Sequence, residues 1–473
     1  MDSPNDRYPR STYLLPPWRG GRLFAVVVAT ALALPVTASL AAAVPAQDQV
    51  LELELFGRVD KAITVAVPAF SIIPGAEGEA NLLHRVLVDD LNLSMVFDVV
   101  DAEFYPDIDA GDGPPDFAAW RQTGAEALIR GFVRRAGDDV IVEYRLYDVQ
   151  SGGQIIGKRN DDKIPVATAN VSNPALRKLA HLFNDEAVLY YTGIPGVAST
   201  KIAYVSDRRG PKEIYVMDYD GYGEQRITND GGLALSPAFS PLGSQIAYVS
   251  YRVHDGIPNV DIAMLNQGGG VPPAIARSAG QDTSPAWAPD GSRIVFASTR
   301  DGISIANSEI YTMKPDGSDW RRITHNSAID TSPTFSPNGR EIAFISSRAG
   351  AQHLYKVSID GTNLTRLRVA GTQIDSPAWN PNPQISDLIA YVASEGGNRF
   401  RIFVYSLTTG RSVAVTRGYG RADSPSWSPD GRQIVFESAQ GGQTHIFAVA
   451  LDGSRLRQLT REGKNQSPSW GGR

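Results

Sequence analysis

The word Ser-Pro-x-aromatic returns six times in the second half of the chain. It reads "SPAFSPLG" at Ser236, "SPAWAPDG" at Ser284, "SPTFSPNG" at Ser332, "SPAWNPN" at Ser376, "SPSWSPDG" at Ser424 and "SPSW" at Ser467. The spacings are 48, 48, 44, 48 and 43 residues. A period of this length, filled with short apolar runs, marks a stacked or circular repeat. Each period holds a second run, such as "KIAYVS" at Lys201 or "QIVFES" at Gln433, and a third, such as "EIYVMDYDG" at Glu213 or "HIFAVALDG" at His445. A short fourth run, such as "RRIT" at Arg321, closes the unit. Alternating β-branched or aromatic residues bounded by Asp-Gly turns read as antiparallel strands, and four such strands make one propeller blade.

The two ends of the repeat complement each other. The unit that starts at Lys201 lacks its Ser-Pro strand, and Ser467 begins a Ser-Pro strand with nothing after it. If the chain closes on itself, Ser467, Pro468 and Trp470 supply the missing strand, and six blades result. Closure also removes the two unpaired edges that an open array would expose. The expected fold is therefore an α/β N-terminal domain followed by an all-β six-bladed β-propeller closed by the C-terminal strand. The aromatics Phe239, Trp287, Phe335, Trp379, Trp427 and Trp470 are expected to fill the wedges between blades.

Ahead of the repeats lie two further regions. Arg7, Arg10, Arg19 and Arg22 precede an unbroken apolar run, Leu23 to Leu34, and small residues follow. This order is that of a secretory signal peptide, and the run is short for a membrane span. Residues 1–46 are assigned to it, with export as the consequence and no direct membrane span in the mature chain. Residues 47–195 read as a small α/β domain and residues 196–473 as the propeller. Strands are expected at Ile63, Phe97, Ala127, Val140 and Gln154. One helix is expected over Glu79 to Leu93, and another from the Asn173-Pro174 cap to about Tyr191.

The chemistry an enzyme would need is hard to find. There is no cysteine, which excludes disulfides, thiolate nucleophiles and an N-terminal lipidated cysteine. A formal charge of -6 gives no footing for nucleic acid. "GGQIIGK" at Gly152 carries the glycines and lysine of a phosphate loop but has Arg159 where Ser or Thr is required, so a hairpin is expected. The six histidines show no metal-ligand spacing, and neither a metal nor a cofactor is assigned.

What remains is a surface. In a four-stranded meander the loop entering the Ser-Pro strand and the loop between the second and third strands open on one face. The first set brings Asp282, Asp330, Asp375 and Asp423 toward the mouth of the central channel, and the second brings Arg209, Arg252, Arg300, Arg348 and Arg399 further out. An acidic inner ring within an arginine outer ring suits protein docking, since arginine is enriched at interface hot spots. The alternatives are aspartates that cap turns beside solvated arginines, or a carboxylate ring that holds a cation.

An export signal, an α/β domain running into "YYTGIPGVASTKIAYVSDRRG", and six "SPxWSPDGxxIAF" repeats ending on "SPSW" together resemble the TolB family of the Tol-Pal system. The resemblance implies a monomeric, non-enzymatic periplasmic adaptor with no cofactor. It implies that the propeller face binds the peptidoglycan-associated lipoprotein Pal through Arg209, Tyr251, Arg252, Arg300, Arg348 and Arg399. It further implies that the segment starting Gln47, Asp48, Gln49, Val50, Leu51 and Glu52 engages TolA of the inner-membrane complex, serving outer-membrane integrity and constriction at division. Two readings from another class stand beside it. One is the propeller part of a peptidase-like protein, for which a catalytic domain is expected but only three residues follow Trp470. The other is an exported propeller enzyme acting on carbohydrate, with its acids in the channel.

Overall fold

The computed structural model describes residues 62–471, except 73–74, 108–112, 138, 160–163, 166–172, 230–231, 255–256, 267–273, 277, 279, 302–306, 398 and 418–419. The signal peptide expected over 1–46 and the segment Gln47 to Glu52 lie outside these residues.

The N-terminal unit is one mixed sheet with helices on both faces. Its elements are β1 (Ile63–Ala66), β2 (Ser71–Ile72), α1 (Glu77–Leu93), β3 (Phe97–Val99), α2 (Phe117–Gln122), β4 (Ala127–Ala136), β5 (Asp139–Asp148), β6 (Gln154–Arg159), β7 (Ile164–Pro165) and α3 (Pro174–Thr192). The sheet order is β3-β1-β4-β5-β6, with β2 on β4 and β7 on β5. β1 runs parallel to β3 and β4, as crossover connections require, whereas β4, β5 and β6 form antiparallel hairpins. The Gly152 stretch is thus the turn and outgoing strand of a hairpin.

The helical spacing of Leu82, Leu83, Val86, Leu87 and Leu91 puts one face of α1 into the core, where it meets Leu176, Ala180, Phe183, Ala187 and Val188 of α3. α3 starts as the sequence dictates. Asn173 Oδ1 accepts from the amides of Ala175 and Leu176 at 2.8 and 3.4 Å, and Pro174 occupies the first turn. It ends at Gly193 with φ 73°, the left-handed cap that a Cβ would strain. The opposite face of the sheet is sealed by Trp120 of α2 against Leu128, Tyr147 and Val149.

From Lys201 onward the chain forms six four-stranded antiparallel sheets. Blade 1 consists of Lys201–Ser206, Glu213–Asp218, Gln225–Arg226 and the final strand Asn465–Gly471. That strand pairs antiparallel with Lys201–Ser206, with Trp470 opposite Ile202, so the ring closes through the C-terminal strand. The innermost strands of successive blades pack against one another around the channel, and the outermost strands are only two to four residues long. Short outer edges leave little ladder for another chain to extend.

The repeat words explain the seams. Five of the six aromatics are buried, and Trp287 is half-buried. Trp427 shares a core cluster with Val404 of the blade before and Phe436 of its own, and Trp470 with Val435 of the blade before and Tyr204 of its own. The indole N–H of Trp287 donates to Ala238 O, and that of Trp427 to Ala378 O, both at 2.9 Å and both into the preceding blade.

The Ser-Pro pair has its own local effect. All six serines, Ser236, Ser284, Ser332, Ser376, Ser424 and Ser467, have φ between 47° and 52°. At each pair the register with the second strand slips by one residue, as from Asp423↔Glu437 to Ser426↔Val435. The proline has no N–H to give the ladder, and the left-handed serine before it bulges the strand. Every innermost strand is therefore re-aimed where it lines the channel.

Candidate protein-docking face

The second strand of blades 1 to 4 carries or leads into Ser-x-Arg, giving Ser206 and Arg208, Ser250 and Arg252, Ser298 and Arg300, and Ser346 and Arg348. Arg208, Arg300 and Arg348 lie over aromatic rings of their own blades, and Arg252 reaches a tyrosine hydroxyl. Arg208 sits 4.8 Å from the Tyr215 ring centre and donates to Ser206 Oγ, Tyr204 Oη and Asn465 Oδ1. It also pairs with Glu224. Arg252 donates to Tyr248 Oη at 3.0 Å. Arg300 stacks 3.4 Å over Trp320. Arg348 lies 5.1 Å over Tyr355 and donates to Ser346 Oγ at 2.8 Å and to Asp330 Oδ2 at 2.7 Å.

Two kinds of arginine thus stand on the expected outer ring. Arg209 and Arg399 are exposed at loop tips, while Arg252, Arg300 and Arg348 are half-buried in intramolecular contacts. Arg208, which sequence reading passed over in favour of its neighbour, is the true counterpart of the last three. The signal was available, because Ser-x-Arg keeps its frame through four blades. The rim also exposes apolar groups. Tyr251 and Leu233 face each other in register and are 39% and 37% exposed, and Ile329 is 38% exposed.

The expected ring of four aspartates is not what the structure shows. Asp282 and Asp330 stand two residues before their serines, and Asp375 and Asp423 stand one before. Side chains alternate along a strand, so the two pairs point to opposite sides. Asp282 and Asp330 are 0% exposed within the blades. Burial pushes Asp282 up to about 6 and raises Asp330 as well. The correction is that these two are structural carboxylates, satisfied in part by Ser278 and by Arg348 and Asn326.

Asp375 and Asp423 bridge seams between innermost strands. Ser332 Oγ donates to Asp375 Oδ1 at 3.1 Å and Ser376 Oγ to Asp423 Oδ1 at 3.4 Å. A third carboxylate joins them. Glu437 lies opposite Asp423 and accepts the Ser467 amide at 2.6 Å. Burial pushes its carboxyl up to about 7, and the Asp423 charge adds to this. The other blades place Val205, Val249, Ala297, Ile345 and Val392 at that position. Sequence reading missed Glu437, although it is the one charged residue at an aliphatic position of the repeat. Among the described residues no three His, Asp or Glu side chains are grouped so as to hold a metal ion. Among the same residues no helix is long and apolar enough to cross a membrane.

Residues 189–473 match the family model described as the TolB beta propeller domain, and residues 51–155 match the TolB amino-terminal domain. The chain belongs to the TolB family. Relatives named "Tol-Pal system protein TolB" include one from Desulfosudis oleivorans, 35% identical over 215 residues that cover 44% of this chain and 47% of that protein. Another, from Geobacter sulfurreducens, is 34% identical over 229 residues, 46% of this chain and 49% of the relative. A third, from a Ruegeria species, is 32% identical over 247 residues, 50% of this chain and 52% of the relative. The chain thus spans about half the length of the curated relatives it matches. The crystal structure of TolB from Acinetobacter baumannii superposes with a TM-score of 0.71 at 24% identity, covering 88% of this chain and 98% of that one, and so shares the fold.

Proposed function

We propose that the chain is a periplasmic, non-enzymatic adaptor of the Tol-Pal system. Its propeller face binds the lipoprotein Pal, and its extreme N-terminal segment, Gln47 to Phe56, engages TolA. The pairing of the two serves outer-membrane integrity and constriction at division. Domain limits at 47–195 and 196–473, cleavage after the signal peptide at 1–46 and a monomeric state belong to this reading.

One observation carries it beyond family membership. Exposed Tyr251 and Leu233 pair in register in blade 2 with Arg252 next along the strand, and the loops of neighbouring blades expose Arg209 and Ile329. Aromatic, aliphatic and guanidinium groups at one rim are what a hot-spot surface needs.

The geometry also decides which variants test it. Charge reversal at Arg348 would strand Asp330, so it cannot separate binding from folding. Arg209→Glu and Tyr251→Ala strand no buried charge, the first lying at an exposed turn and the second losing only the exposed pair with Leu233. Calorimetry of residues 47–473 against a soluble Pal domain should give saturable binding that both changes weaken. Wild-type protein that shows no heat at tens of micromolar Pal overturns the reading.

A further inference from the structure

Asp90, His181 and Tyr219 form a buried chain across the junction of the α/β unit and the propeller. Asp90 is on α1, His181 on α3, and Tyr219 in the turn after Glu213–Asp218 of blade 1. His181 Nδ1 lies 2.7 Å from Asp90 Oδ2, and Tyr219 Oη donates to Asp90 Oδ1 at 2.6 Å. Each of the three is at most 3% exposed, and His181 Nε2 has no hydrogen-bond partner among the described residues. One carboxylate therefore ties a helix of its own unit to a blade of the other.

The surroundings add charge. Arg177 of α3 pairs with Asp220 and lies 4.2 Å over the Tyr222 ring. Arg457, from the outer strand of blade 6, donates to Tyr219 O at 3.2 Å and lies 5.2 Å from that ring's centre. Gln433 of blade 6 donates to Leu93 O at the end of α1 at 3.0 Å. The Asp90 charge also acts on Tyr144 of β5, and Arg85 and Asp89 of α1 interact with one another beside the Arg177–Asp220 pair. An apolar seam would dock two units as firmly at any pH. A buried carboxylate between an imidazole and a phenol does not, because its cost depends on where the proton sits.

We propose that this triad is a proton-operated latch, in which the docked junction holds a proton on the Asp90–His181 pair and its release at higher pH loosens the α/β unit from blades 1 and 6. With His181 an imidazolium, the Asp90 charge is neutralised at contact distance. With His181 neutral, Asp90 remains a buried anion with neutral donors only. The directions agree. Burial lowers the affinity of His181 for a proton, but the Asp90 carboxylate more than offsets this and the pKa is raised. Burial likewise raises Asp90. A raised histidine gives stability that is present below its ordinary range and lost as the pH rises through the shifted value.

The latch stands apart from what the docking face binds, so failure of one leaves the other untouched. Its test is limited proteolysis of the whole chain within the link 193–200 across roughly pH 6 to 8.5, for wild type and His181→Gln, each protease rate referred to an unstructured peptide. Glutamine keeps a donor for Asp90 but cannot titrate. The ratio of wild-type to variant cleavage should rise by about threefold or more across that range. Equal pH dependence in the two proteins overturns the latch. If the variant does not fold, the His181 Cε1–H resonance of wild type decides. A midpoint clearly above the ordinary histidine value of about 6.5 supports the proposal, and one at or below it overturns it.

Discussion

The indole N–H of Trp470 donates to Thr200 Oγ1 at 2.9 Å, joining the closing strand to the residue that leads into blade 1. Thr200 also accepts the Tyr219 amide through its carbonyl at 3.2 Å. Ring closure and the entrance to the propeller are therefore one packed unit, with Trp470 wedged among Ile202, Tyr204, Tyr215, Met217 and Val435. Trp470→Ala should cost on the order of 3 to 5 kcal/mol, as buried tryptophan truncations do. Thr200→Val, which keeps the shape but leaves the indole N–H unpaired, should cost about 1 to 3 kcal/mol. Chemical denaturation of both variants checks the order. A Trp470→Ala protein as stable as wild type would mean that the last strand does not close the ring.

Glu437 makes stability depend on pH in a stated direction. Its folded carboxyl sits at about 7 against an ordinary 4.5, so the native state keeps a proton that the unfolded chain has lost. Its contribution is therefore largest below about pH 4.5 and falls as the pH rises through 7. Glu437→Gln still offers an oxygen to the Ser467 amide and cannot ionise. The variant should melt at a higher temperature than wild type at pH 8, and its melting temperature should fall less between pH 5 and 7.5. His181 contributes a slope of the same sign, so flattening will be partial. Parallel curves for the two proteins would place the proton elsewhere.

Arg348 and Arg209 look alike in sequence and should behave differently. Arg348→Ala leaves Asp330 buried without its cation, a change that costs about 3 to 5 kcal/mol when a buried pair is broken. Replacing both partners, as in Arg348→Met with Asp330→Leu, should restore most of the loss. Arg209→Ala, at an exposed turn, should change stability by no more than about 0.5 kcal/mol. Urea midpoints of the four proteins test the distinction. Equal losses for Arg348→Ala and Arg209→Ala would refute it.

What the sequence made legible was periodic or local. Six blades, their closure and the caps of α3 follow from words repeated at a fixed spacing or from residues within one turn. The positive φ of the serines did not, because Ser-Pro reads as extended chain and the bulge exists only once a partner strand fixes the register. The misplacement of Asp282 and Asp330 is a parity error, one residue of offset before the serine, which strand alternation could have exposed. Short α2 carries too little pattern to stand out, although Trp120 anchors it. Nothing local marks the junction. Asp90 and His181 are 91 residues apart and Asp90 and Tyr219 are 129 apart, so the first contact appears only when α1 packs on α3 and the second only when the α/β unit meets blade 1.

The glycines offer a final contrast between space and conformation. Gly420 has an ordinary φ, yet a Cβ built there would lie 2.0 Å from Ala439 O at the end of the neighbouring strand. Gly232 meets Tyr251 O at the same distance in blade 2, so the entry to the innermost strand is tight in both blades. Backbone cannot step aside as a side-chain tip can, and Gly420→Ala should destabilise by about 1 to 3 kcal/mol. Gly78, in the first turn of α1, has nothing within 4 Å of such an atom. There alanine only removes backbone freedom from the unfolded chain, so Gly78→Ala should stabilise by up to about 1 kcal/mol. Thermal melts of the two variants should move in opposite directions. A neutral Gly420→Ala would show that the loop entering blade 6 can back away from its neighbour, and the rim would then be more pliable than its contacts indicate.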